Sequence, residues 1–73
     1  MANAEEAITF AYLRKRAGLT QRQISIAMDV SVTTVSQWET GGQRPRLFPE
    51  QMQKLLQLLN CTLDEFVEAF RQE

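Results

Sequence analysis

The stretch M-D-V-S-V-T-T-V-S-Q-W-E, residues 28–39, decides the fold. Its β-branched residues Val30, Val32, Thr33, Thr34 and Val35 favour a pleated strand over a helix. A strand needs a partner, however, and no second β-rich run exists in the chain. Left unpaired, the backbone donors and acceptors would cost more than roughly a few tenths of a kcal/mol of helix propensity. Ser31 is a good N-cap, so a helix can start at Val32. Wound at about 100° per residue, it turns Val32, Thr33, Ser36, Gln37 and Thr40 to one side and Val35 and Trp38 to the other. The inward side is apolar. The outward side is short, uncharged and mixed, without the lysine and glutamate that cover most solvated helix faces. Such a face suits close approach to another surface.

The flanking sequence keeps a helical period. Asn3 followed by Glu6 marks a helix start, Phe10, Leu13 and Ala17 recur at helical spacing, and Gly18 stops the helix. Thr20 opens T-Q-R-Q, a capping box, and Ile24, Ala27 and Met28 form the buried face of a short second helix. Met28–Asp29–Val30–Ser31 then joins the second helix to the third as a helix-turn-helix. Pro49 suits a first helical turn, with Met52, Leu55, Leu56 and Leu59 following at i, i+3, i+4 and i+7. Asn60 can end that helix in a left-handed conformation, and T-L-D-E at 62–65 is a second capping box. Leu63, Phe66, Val67 and Phe70 repeat the spacing. The irregular stretch is Gly41 to Phe48, and there are no repeats or low-complexity tracts. The expected architecture is a single all-α domain of five helices over residues 1–73.

Composition narrows the function classes. A chain of 73 residues has room for one small domain, which buries only ~60% of its unfolded surface. A hydrophobic fraction of 44% argues against wholesale disorder. The single cysteine, Cys61, excludes an internal disulfide. With no histidine and one thiol there is no zinc-ligand set and no Ser–His or Cys–His nucleophile pair, so neither enzyme nor cofactor is expected. No apolar run approaches ~18 residues, and no basic segment precedes an apolar stretch; the expectation is a cytoplasmic protein with no membrane partner.

The net charge of −1 hides a polarised chain. Residues 14–46 carry Arg14, Lys15, Arg16, Arg22, Arg44 and Arg46 against Asp29 and Glu39, a local +4. Residues 47–73 carry Lys54 and Arg71 against Glu50, Asp64, Glu65, Glu68 and Glu73, a local −3. A basic middle can engage phosphates while an acidic tail faces elsewhere.

From Leu13 to Phe66 the chain resembles the Cro/C1-type (XRE-like) DNA-binding domain of phage repressors and bacterial regulators. The matching residues are L-R-K-R-A-G-L-T-Q at 13–21, V-S-V-T-T-V-S-Q-W-E at 30–39, G-G-Q-R-P-R at 41–46 and the closing T-L-D-E-F. Their order and spacing are more specific than any one of them. The turn position usually held by glycine is Asp29, which can adopt positive φ at some strain.

The resemblance implies a lambda-repressor-like five-helix fold and a double-stranded DNA partner. Val32, Thr33, Ser36 and Gln37 match the positions that touch base edges in the major groove, and Gln21 matches a phosphate contact. Thr40, at the helix end, is within reach of the sugar–phosphate backbone. Arg44 and Arg46 bracket Pro45 in a loop that related repressors lay along the backbone, the later arginine reaching toward the minor groove. Arg14 and Glu39 match a structural salt bridge. Trp38 and Cys61 are assigned to packing, and Lys15, Arg16 and Arg22 to solvent. Leu63, Phe66, Val67 and Phe70, with Leu47, Phe48 and Leu58, supply more apolar surface than the core needs, so a homodimer on two half-sites is expected. The resulting reading is a Cro-like repressor. An antitoxin that uses the same domain for autoregulation is one alternative, and a protein–protein adaptor, binding through the acidic last third, is another.

Overall fold

A computed structural model describes residues 8–71. It contains α1 (Phe10–Arg16), α2 (Gln21–Met28), α3 (Val32–Thr40), α4 (Pro49–Leu59) and α5 (Leu63–Ala69), and no strand among the described residues. The β-branched segment is therefore helical from Val32 onward. Its cap is Ser31, whose Oγ accepts the Thr34 N–H at 3.0 Å. Both capping boxes form. Thr20 Oγ1 accepts from the Gln23 N–H at 3.0 Å while Gln23 Oε1 accepts from the Thr20 N–H at 2.8 Å, and Thr62 and Glu65 repeat the exchange on α5. At α4 only half of such a box exists: Gln51 Oε1 accepts from the Phe48 N–H at 2.9 Å, and Pro49 occupies the first turn.

The start of α1 differs from the expectation. Asn3 and Glu6 lie outside the described residues, and α1 begins at Phe10 with Thr9 as its cap, Oγ1 accepting from the Tyr12 N–H at 3.0 Å. A hydroxyl directly before the first buried residue sets the boundary. Helix ends use left-handed residues, Gly18, Asp29, Gly41 and Asn60. After α2 the Val30 N–H reaches the Ser25 carbonyl at 3.0 Å and the Asp29 N–H reaches Ile26 at 3.3 Å, closing a Schellman motif. Asp29 tolerates φ 58° there because its side chain is short and polar.

The core joins all five helices through Phe10, Leu13, Ile24, Met28, Val35, Trp38, Leu55, Leu59, Phe66 and Ala69. Phe10 is its hub. It meets Trp38 edge-on at 5.7 Å and Phe66 at 6.4 Å, and lies 6.0 Å from Phe70, so one ring ties α1 to α3 and α5. Leu47 and Leu58, expected to be surplus, instead pack half-buried against this core, as do Phe70 and Cys61. Burial, with the nearby Glu65 carboxylate, holds the Cys61 thiol above its usual pKa. On α2 the more buried side chain is Ser25, whose Oγ donates to the Arg22 carbonyl at 2.7 Å; Ala27 is only half-buried.

Two ionic connections add direction to this packing. Arg14 on α1 pairs with Glu39 on α3 through Nε and, at 3.4 Å, through Nη2; its Nη1 donates to the Leu19 carbonyl at 2.9 Å. Their side chains are 14% and 10% exposed, so the pair is largely out of water. The second connection adds to the assignment of Arg16, which is exposed as expected but also ion-paired. Its Nη1 and Nη2 bond both Glu65 oxygens at 3.0 and 2.9 Å, Nη2 also reaches the Asn60 carbonyl at 3.4 Å, and the guanidinium lies 5.6 Å from the Tyr12 ring centroid. The chain end of α1 meets the start of α5, and the capping-box carboxylate has a second oxygen to offer. The Arg16 hydrogen bonds, then the Thr62 N–H, pull the Glu65 pKa down to about 2. Lys15 and Arg22 are exposed, as expected.

Two outcomes follow from these pairs. Arg14→Ala strands a nearly buried carboxylate, at a cost of roughly 3–5 kcal/mol, much of what a small domain has. It should melt far below the parent protein while Lys15→Ala melts near it; equal melting temperatures for the two variants would dispose of the bridge. Glu65 has a native pKa below its ordinary value, so its contribution to stability is complete above about pH 4.5 and is lost as the pH falls toward 2. Thermal melts across that range should show a flatter acid limb for Arg16→Gln than for the parent, and parallel limbs would contradict this.

Candidate nucleic-acid interface

The outward face of α3 is built by elements behind it. Val35 and Trp38 are buried against the core, which turns Val32, Thr33, Gln37 and Thr40 into solvent and leaves Ser36 half-buried. The face carries no charge. It offers apolar methyls from Val32 and Thr33, hydroxyls from Thr33 and Ser36, and the Gln37 amide, a set matched to base edges. Glu39, the one acidic residue of α3, is neutralised by Arg14. Thr40 lies at the C-terminal end of the helix, where its Oγ1 donates to the Gln37 carbonyl at 3.4 Å.

Gln21 flanks one edge of this face. It is the first residue of α2 and half-buried, and its Nε2 donates to Glu39 Oε1 at 3.0 Å. Glu39 stands three residues beyond Ser36 and seven beyond Val32, so it borders their side of the helix. One hydrogen of the Gln21 amide is thus committed to the fold. The other amide hydrogen is not taken up by that bond, whereas the Gln23 N–H of the same first turn is already held by the Thr20 hydroxyl. The Gln21–Glu39 bond is invisible locally, because the two residues lie 18 positions apart.

The loop after α3 flanks the opposite edge. Val30, Thr34, Trp38, Gly42, Gln43, Arg44, Arg46 and Leu47 line an open groove of about 630 Å³, which brings both arginines to the Thr34 side of α3. Burial alternates along the loop: Arg44 and Arg46 are exposed, Pro45 and Leu47 half-buried. Both arginines line the same groove. Neither has an acidic partner within ion-pair distance among the described residues. Gln21 and the arginines therefore stand on either side of the uncharged face, as two phosphate strands border a major groove. Sequence reasoning passed over Gly42 and Gln43, whose N–H groups reach the Gln37 carbonyl at 2.9 and 3.3 Å. The signal was the G-G-Q run directly after Thr40.

A capped helix-turn-helix with an uncharged outward helix between polar and cationic flanks defines a class of DNA-binding modules. The model of the helix-turn-helix family matches residues 10–66, from the first residue of α1 to Phe66 in α5. The chain belongs to this family, in its Cro/C1-type, XRE-like form, and is a DNA-binding regulator of transcription. Comparisons with curated proteins and with solved structures give no significant match. Proteins of the family are typically not enzymes. Among the described residues no helix is long and apolar enough to cross a membrane, and no cluster of acidic or thiol side chains could hold a metal ion.

Proposed function

We propose that the protein is a sequence-specific, cytoplasmic, Cro-like repressor that binds a two-fold operator as a homodimer and blocks polymerase by occupancy. The observation that carries this reading is the uncharged, largely exposed face of α3 beside two arginines with no ion pair among the described residues, in a protein whose net charge is −1. A surface selected only for solubility would not separate its charges in this way.

In this reading α3 lies in the major groove, which is wide enough to admit a helix. Val32 and the Thr33 methyl pack on thymine methyl groups, Ser36 gives a short hydroxyl, and Gln37 pairs with adenine through two hydrogen bonds. The face has no arginine or lysine, so it lacks the commonest guanine contact. Gln21 holds a phosphate at the start of α2. Thr40 holds another, exchanging its long bond to the Gln37 carbonyl for a stronger charge-assisted one. Arg44 tracks the backbone, and Arg46 enters a narrow, A·T-rich minor groove where the potential is most negative.

A single recognition helix reads few base pairs, which favours two half-sites one helical turn apart. Phe48, Leu63 and Val67 support a two-fold contact, being 73%, 54% and 45% exposed. Leu63 and Val67 also border a mostly apolar groove of about 260 Å³ with Met52, Phe66 and Phe70, which Pro45 and Arg44 of the loop line as well.

Selection of bound sites from random DNA should return thymine or adenine in the half-sites, with an A·T preference beside or between them. Gln37→Ala should relax preference at one base pair by roughly 1–3 kcal/mol, whereas Arg44→Ala should weaken all sequences alike and shallow the salt slope by about one. Selected sites that are G·C-rich throughout, or a Gln37→Ala variant with unchanged preference, would overturn the reading face. For assembly, sedimentation at saturation should give two protomers per operator, and Leu63→Asp should reduce this to one without lowering the melting temperature. One protomer per site in the parent protein would refute the dimer.

A further inference from the structure

The backbone carbonyl of Gln37 collects an unusual number of donors. The Gly42 N–H reaches it at 2.9 Å, the Gln43 N–H at 3.3 Å and the Thr40 hydroxyl at 3.4 Å, and the Gly41 N–H also points to it. Gly41 makes the required reversal at φ 87°. Gly42 has a different role. A Cβ there would stand 3.8 Å from Gln37 Cβ and Cγ and 3.7 Å from Thr40 Oγ1, so its backbone lies directly against the outward face of α3. The chain then continues through Gln43 to Arg44 and Arg46, and Leu47 packs into the core. The arginine loop is pinned at both ends, on Gln37 at its start and in the core at its finish. Pro45 restricts the backbone between.

We infer that Gly42 is a positioning residue for DNA recognition: its N–H bond to the Gln37 carbonyl sets the pose of Arg44 and Arg46 relative to the base-reading side chain of the same Gln37. This rests on the DNA-binding reading of the α3 face and its loop. The helix end and the loop then form one rigid unit, and the Gln37 side chain and the two guanidinium groups leave it as a fixed constellation. Preorganisation of this kind lowers the ordering cost of binding two flexible arginines. It also couples base reading to backbone contact. A loop released from Gln37 would still be cationic, but its charge would no longer meet the phosphates in register.

The test uses the full chain and an operator obtained by selection from random DNA. Gly42→Pro removes the donor, while Gly42→Ala keeps it and adds only an ordinary van der Waals contact. Expected for Gly42→Pro is a salt slope shallower by about two, one for each arginine, and loss of the A·T preference assigned to Arg46, as in Arg44→Ala/Arg46→Ala. Added to an Arg44→Ala/Arg46→Ala background, Gly42→Pro should cause no further loss, since all three changes remove the same two contacts. Gly42→Ala should keep the parent slope. Additive effects in the cycle, or a parent-like slope in Gly42→Pro, would overturn the positioning role while leaving the DNA-contacting loop intact. An Arg44→Ala/Arg46→Ala variant with parent affinity and slope would instead remove the loop's DNA role, and the inference with it. Amide hydrogen exchange on the parent protein provides a measurement independent of variant folding. The Gly42 N–H should be protected like the last turn of α3, and exchange at the rate of an open loop would overturn the anchor.

Discussion

The Glu39 carboxylate is where three helices converge. It is nearly buried, and its donors come from Arg14 on α1 and Gln21 on α2 while it sits on α3 itself. A carboxylate removed from water must be met by donors in good geometry, and that requirement fixes more than stability. Glu39 lies between Trp38, which is buried, and Thr40, which is exposed. Holding it in place therefore sets the rotation of α3 about its own axis. Turned by one residue, the helix would bury part of the outward face and expose Trp38. The same Arg14 closes the turn after α1 by donating to the Leu19 carbonyl, so the α1–α2 connection and the presentation of α3 depend on one guanidinium.

The charge pattern takes on a different meaning once the pairs are assigned. The local +4 of residues 14–46 suggested a broad basic middle. Two of those six cations are spent internally, Arg14 on Glu39 and Arg16 on Glu65. Arg44 and Arg46 flank α3, and Lys15 and Arg22 are exposed elsewhere. With so few cations, counterion release supplies only a modest sequence-independent affinity. In the proposed reading, discrimination then rests largely on the helix face and on DNA shape.

What could be read from sequence was local or periodic. The helical reading of residues 32–40 followed from the lack of any strand partner, and the caps Ser31, Thr20 and Thr62 followed from side chains three residues from their targets. Asp29 and Asn60 adopt the left-handed conformation expected at those chain positions. Burial of Val35 and Trp38 opposite an exposed Gln37 is simple helical phase. The remainder depended on contacts between distant residues. Nothing near Arg16 announces Glu65, 49 positions away, and nothing near Gln21 announces Glu39. Leu47 and Leu58 looked surplus because the path of the chain from α3 into α4 brings them back to the core. The expected start at Asn3 lies outside the described residues; α1 begins at Phe10, where the Thr9 cap meets the onset of the buried face. The loop anchor escaped notice because backbone carbonyls have no residue signature.

The β-branched composition that made α3 look like a strand now has a physical account. Val35 belongs to the core, where branched side chains pack well. Val32 and Thr33 are exposed, and each lowers helix propensity by roughly half a kcal/mol relative to alanine. No folding advantage offsets this on a solvated face. What these residues do provide is stiffness, because branching at Cβ leaves few χ1 rotamers to lose when the side chain meets a base. A longer, more helix-favouring residue at Thr33 would strengthen the helix and, in the proposed reading, weaken shape complementarity at the groove floor. The Ser31 cap, the Gly41 reversal and the Glu39 network together support a helix whose outer residues suit contact rather than propensity. Stability is therefore concentrated behind and at the ends of α3, and its outward face is left free for recognition.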